Sequence, residues 1–145
     1  MERSISRSVL LPIETAQARA VVLDVGSYPE FLPWCESAVV EERNASHVTV
    51  ATVNLAARRY HASVTTRATE LDDGTILLEL VSGPFRKFRG VWKFAEGPSG
   101  CLVSFRAKFE FKRRYLDFLV LPILEPACRA VLSCFERRAR KLFVT

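Results

Sequence analysis

The sequence predicts an α+β fold in which a curved antiparallel sheet of seven strands grips one long C-terminal helix, with two short helices after the first strand. Three observations predict it. Apolar and polar residues alternate with period two in six consecutive stretches between Glu36 and Phe111. Those stretches are joined by short turns, which favours an antiparallel meander. The last third, Lys112 to Val144, carries a one-sided apolar stripe long enough to cover a sheet face.

Ser4–Leu11 opens the chain as a strand, with Ile5, Val9 and Leu11 on one face and serines on the other. Pro12 ends it, and Glu14–Val25 reads as a helix stopped by Gly26. In Ser27–Cys35, Pro29 starts a short helix and Pro33 ends it. Tyr28, Phe31, Leu32 and Trp34 crowd that piece, so it must plug into an apolar surface. Strands follow at Glu36–Arg43, His47–Leu55, Arg58–Leu71, Thr75–Val81, Phe85–Ala95 and Cys101–Phe111. Asp72-Asp73-Gly74 marks a hairpin, and Gly83-Pro84 and Ser99-Gly100 mark breaks. Cys101–Phe111 is the clearest strand. Cys101, Val103, Phe105, Ala107, Phe109 and Phe111 face one way, opposite a mostly charged face. In the C-terminal stretch the stripe comprises Leu116, Leu119, Val120, Ile123, Leu124, Ala127, Cys128, Val131, Leu132, Phe135, Ala139 and Leu142. Pro122 and Pro126 each remove a helix hydrogen bond, so a break or kink is expected there.

At 145 residues, nearly half of them apolar, the chain reads as one domain with a sizeable core. The N-terminus has no apolar signal region, and charged residues inside the C-terminal stretch argue against a membrane span. The chain reads as cytoplasmic or already processed, and peripheral contact with the inner face of the cytoplasmic membrane is one option for it. Charge is uneven. Residues 1–85 hold seven Lys/Arg against eleven Asp/Glu, and residues 86–145 hold fourteen against five. A basic second half points to an anionic partner, either a lipid surface or RNA, or else to a solvated basic face. Cys35, Cys101, Cys128 and Cys134 form no CxxC pair and read as small buried residues, so no metal is expected.

Catalysis finds no support. His47 and His61 are the only histidines, and both fall in strand patterns. No nucleophile elbow, zinc-protease or phosphate-binding motif occurs. The inward positions are almost all apolar, which suits a ligand held by shape and burial.

Asp24-Val25 followed by Ser27-Tyr28-Pro29-Glu30-Phe31-Leu32-Pro33-Trp34-Cys35 resembles the signature of the coenzyme Q-binding START-domain family. Gly83-Pro84-Phe85 with Gly90 and Trp92-Lys93-Phe94, then Phe109-Glu110-Phe111, then Phe135 with Arg138-Ala139, continue the resemblance in order. Ile5-Ser6-Arg7-Ser8 fits its opening.

The resemblance implies the helix-grip fold of the polyketide cyclase/START superfamily and two functional branches. One binds ubiquinone and supports its biosynthesis and respiratory electron transfer. The other is a bacterial ribosome-association toxin that binds the large ribosomal subunit and blocks translation initiation. The toxin branch more often has glycine where this chain has Trp34, so Trp34 tilts the reading to the quinone branch. The family has no settled catalytic residues to carry over, and a cyclase-type enzyme would rest on fold analogy alone.

The leading expectation is therefore a non-enzymatic carrier of a polyprenyl quinone, with ubiquinone as bound ligand and no other cofactor. The sheet would contribute Val64, Thr66, Leu78, Trp92, Phe94, Val103, Phe105 and Phe109 to its cavity, and the plug Phe31 and Trp34. The helix would contribute Leu116, Val120, Leu124, Cys128 and Leu132. Arg86, Lys87, Arg89, Lys112, Arg113 and Arg114 would touch an anionic membrane, or rRNA in the ribosome-binding alternative.

Overall fold

Seven strands form one antiparallel sheet in the order β1-β7-β6-β5-β4-β3-β2 in the computed structural model. The structure describes residues 2–57 and 60–144, and within these the side chains other than those of Ala57, Ile123, Leu124, Glu125, Ala127 and Cys128. The strands are β1 (Arg3–Leu11), β2 (Cys35–Asn44), β3 (Val48–Ala57), β4 (Tyr60–Glu70), β5 (Ile76–Ser82), β6 (Phe85–Gly97) and β7 (Gly100–Phe111). Strands β2 to β7 are a meander, as the short turns require. Strand β1 closes the sheet beside β7, with Ile5 opposite Ala107 and Leu11 opposite Cys101. This is the helix-grip architecture.

The turns follow local chemistry. Between β4 and β5, the Asp73 carboxylate accepts the Thr75 N–H at 2.9 Å, and Gly74 takes a positive φ of 89°. Those hydrogen bonds hold the exposed Asp73 carboxyl below its usual pKa. In the β6–β7 hairpin, Gly100 has a φ of 140°, and a Cβ there would lie 2.0 Å from the Leu11 carbonyl oxygen. Only glycine lets this turn meet the end of β1. Between β2 and β3 the structure corrects the placing of His47 in a strand. It sits in the turn with a φ of 60°, and the Asn44 side chain accepts the Ser46 and Val48 N–H groups. His61 is exposed on β4, with its Nδ1 3.4 Å from Glu36.

Helix α1 (Thr15–Leu23) begins with Gln17 accepting the Glu14 N–H at 3.0 Å. It ends two residues before the expected Val25. A 3-10 helix, α2 (Val25–Glu30), follows with Pro29 inside it rather than at its start. Short-range bonds such as Ser27 N–H to Asp24 C=O explain the early start. This piece does act as a plug. Tyr28 and Phe31 meet Phe135 edge-on, with ring centroids 5.5 and 5.2 Å away, and Leu32 is buried.

Helix α3 (Arg114–Phe143) is 30 residues long and contains both prolines. The expected break does not divide it into two helices. Pro122 and Pro126 are four residues apart on the exposed side, so both lost bonds fall on the face open to water. Its inward stripe buries Leu116, Val120, Leu132, Phe135 and Ala139, and also Cys134. Leu119 and Leu142, expected in that stripe, are exposed. The interior divides into two packed clusters. One lies around Trp92, Val103, Leu132 and Phe135, and the other around Phe85, Phe109, Phe111, Leu116 and Val120. Cys35, Cys101 and Cys134 are buried free thiols, while the Cys128 side chain lies outside the described residues.

Candidate functional site

Two features could carry function: an apolar cavity on the concave side of the sheet, and a basic surface on its convex side.

The cavity measures about 160 Å³. Helices α1 and α2 contribute Val22, Leu23, Val25 and Tyr28. Strands β3 and β4 supply Thr49, Ala51, Val53, Thr66 and Ala68. Strands β5 and β6 complete the wall with Ile76, Leu78 and Trp92. Gly90 helps shape this region. A Cβ there would stand 3.2 Å from Leu78 Cδ1 and 3.4 Å from Phe105 Cε1. The wall offers little chemistry. The Tyr28 hydroxyl donates to the Val22 carbonyl. Burial, reinforced by Asp24 and Cys35, raises the Tyr28 phenol far above its ordinary pKa. Burial also raises the neighbouring Cys35 thiol. Both groups therefore stay neutral near pH 7. Among the described residues, no group of three His, Cys, Asp or Glu could hold a metal ion.

Of the residues expected around a ligand, Thr66, Leu78 and Trp92 line this cavity. Phe31, Trp34, Phe94, Val103, Phe105 and Leu132 pack in the same cluster without lining it. Val64, Phe109, Leu116 and Val120 belong to the second cluster. Leu124 and Cys128 have side chains outside those described. Among the described residues, the expected set is thus divided between the wall of this cavity and the two packed clusters. Aromatic contacts fill the gap between sheet and helix. Trp92 lies 4.6 Å from Phe105 and 5.1 Å from Phe135, and Phe85 stacks on Phe111 at 5.2 Å. The lining from α1 and β3 was missed in the sequence. Its signal was present in the alternation of Thr49, Ala51 and Val53, but alternation does not show which stretch of a face stays unfilled.

On the convex side, register lines up Arg67, Glu79, Arg89, Lys108 and Ser4 across five strands. Arg106, two residues along β7 from Lys108, lies opposite Val91 and Ser6. Lys87 faces Glu110 on the same side, and Lys93 faces Ser104. The basic side chains here are exposed. Arg67, Lys93, Arg106 and Lys108 were not singled out in the sequence, because only register joins them to Arg89. The other expected surface cations, Arg86, Lys112, Arg113 and Arg114, are exposed near the start of α3, and Arg86 Nε lies 3.7 Å from Glu110.

Comparisons with known proteins place this geometry. The chain is 32% identical to the Ribosome association toxin RatA of Vibrio cholerae, covering 97% of this chain and 98% of that one. It is 31% identical to the protein of the same name from Escherichia coli K12, covering 96% and 88%. Contrary to the tilt drawn from Trp34, these curated names belong to the toxin branch. Among solved structures, the Zhui aromatase/cyclase from Streptomyces sp. R1128 superposes with a TM-score of 0.84 over 98% of this chain and 96% of that one. At 14% identity that likeness is one of fold. The profile of the family described as polyketide cyclase / dehydrase and lipid transport matches residues 11–136, from the end of β1 to the last turns of α3, and the chain belongs to that family.

Proposed function

We propose that this protein associates with the large ribosomal subunit and restrains translation, contacting rRNA phosphates through the basic convex face of its sheet. The observation that carries the proposal is full-length likeness to relatives named for ribosome association. The row of Arg67, Arg89 and Lys108, with Arg106 and Lys93 beside it, supports it. Strands about 4.8 Å apart set these cations at spacings that a folded RNA backbone can match. On this reading the protein acts by binding, since contacts between surface cations and phosphates need no acid or base.

Sedimentation with ribosomal subunits at physiological salt tests the reading. The protein should travel with the large subunit, and the pair Arg89→Glu and Lys108→Glu should leave it at the top of the gradient. Wild-type protein that stays at the top removes the proposal.

A second reading, carriage of a polyprenyl quinone such as ubiquinone, is favoured by the apolar cavity and by the lipid-transport description of the family. Magnitude weighs against it. Pockets that enclose drug-sized ligands measure roughly 300–1,000 Å³, whereas this cavity measures about 160 Å³. A quinone with its tail would require the two apolar clusters to separate. Organic extraction of the purified protein followed by mass spectrometry checks it. Carriage predicts a quinone at near-stoichiometric amount, and repeated absence of one rejects the reading.

A further inference from the structure

The first turns of α3 present an apolar stripe to solvent. Tyr115 is 58% exposed, Phe118 82% and Leu119 57%. Pro122 and Pro126, also exposed, continue the stripe at helical spacing. The inward side of the same turns already packs Leu116 and Val120 against Phe85, Phe109 and Phe111. A helix with one face in the core and the other in water gains nothing from a bare phenylalanine on its wet face. Cations frame the stripe. Lys112, Arg113 and Arg114 directly precede it. Arg86 and Lys87 are brought to the same end of the sheet, because Phe85 pairs with Phe111 and the Lys112 N–H donates to the Pro84 carbonyl at 2.9 Å. Glu110, 3.7 Å from Arg86, offsets part of this charge.

We propose that this end of the molecule docks on an anionic lipid surface. Tyr115, Phe118 and Leu119 enter the boundary between headgroups and acyl chains, and the five cations meet lipid phosphates. The docking is peripheral, since no helix among the described residues is long and apolar enough to cross a membrane. Charge selects the occupant. A second copy packed antiparallel on the stripe would bring Arg113 and Arg114 of one protomer towards Arg129 of the other, cation against cation. Parallel packing would oppose the same arginines to themselves. RNA would satisfy the cations but leave Leu119 and Pro122 wet. An anionic bilayer satisfies both chemistries. The inference goes beyond the ribosome reading and, with Lys87 at the border of the two surfaces, rests on a different stripe, so either can fail without the other.

Flotation of the full chain with vesicles tests it. One set is phosphatidylcholine alone, and the other contains about one third phosphatidylglycerol. Wild-type protein should float with the mixed vesicles and at least about tenfold less with the neutral ones. Phe118→Asp should lower the bound fraction about fivefold or more, and Arg113→Glu with Arg114→Glu more than about twentyfold. Circular dichroism and the unfolding midpoint should stay at wild-type values, because these side chains are exposed. Leu119→Ser repeats the measurement with a milder change if Phe118→Asp disturbs the fold. Wild-type protein that binds neither vesicle, or binds both equally, overturns the proposal. So does flotation of folded Phe118→Asp at the wild-type level. Loss of ribosome sedimentation by that variant with vesicle binding intact would assign the stripe to the ribosome and also overturn it.

Discussion

Tyr28 shows how one residue ties several parts of the molecule together. Its hydroxyl donates to Val22 near the end of α1, its ring meets Phe31 and Phe135 edge-on, and it borders the cavity. Burial, with Asp24 and Cys35 adding to it, keeps the phenol neutral well past its ordinary pKa of 10.0. In the unfolded chain the phenol ionises near 10.0 while the folded one does not. The neutral form's contribution to stability is therefore fully present below that pH and is lost as pH rises above it. Tyr28→Phe should make the alkaline fall in stability shallower and cost about 1 kcal/mol at neutral pH through the lost hydrogen bond. Chemical denaturation at neutral and at strongly alkaline pH checks both. A variant as alkali-sensitive as wild type would assign the titration to another group, such as Tyr60, whose phenol burial also raises. The sequence marks Tyr28 through Trp34 as a plug from its density of large side chains. It does not say that Phe135, more than a hundred residues away, is the socket, since that pairing depends on how α3 crosses the sheet.

At the scale of elements, α3 departs most from its sequence reading. Pro122 cannot donate to the Phe118 carbonyl, nor Pro126 to the Pro122 carbonyl, yet α3 runs from Arg114 to Phe143. Burial of Leu116 and Val120 before the prolines and of Leu132, Phe135 and Ala139 after them anchors both halves to the sheet. Packing thus outweighs two lost hydrogen bonds of about 1 kcal/mol each. Pro122→Ala and Pro126→Ala should each restore a bond and stabilise the fold by about 1–3 kcal/mol, read as a higher denaturation midpoint. An unchanged or lower midpoint would mean that the prolines already fit the helix without strain. The strands were legible almost residue by residue, because their alternation is local. The ends of α1 and α2 were less so, since a 3-10 turn carries no periodic signature of its own.

For the whole molecule, the charge asymmetry acquires a location. Residues 86–145 form most of β6, all of β7 and α3, so their surplus of cations gathers on one side of the sheet and along one helix. Ribosome association through the convex face should therefore weaken steeply with salt. Reversing Arg89 and Lys108 should flatten the log–log salt slope by about two or more, whereas Phe118→Asp should leave that slope unchanged. A slope insensitive to the reversals would place the ribosomal contact elsewhere on the surface.

By itself the sequence determined the architecture: seven alternating strands, short turns and one long amphipathic helix leave few ways to bury the apolar faces. It also determined which half of the chain is basic. Only the tertiary structure decided the rest. Tertiary packing separates Leu78 and Trp92, which border a cavity, from Val64 and Phe109, which pack in a second cluster. It aligns Arg67, Arg89 and Lys108 across strands, and it leaves Phe118 in water while Leu116 and Val120 are buried. The physical reason is range. Periodicity records the direction of each side chain relative to its own backbone, whereas register, sheet curvature and the crossing of α3 depend on contacts between distant residues.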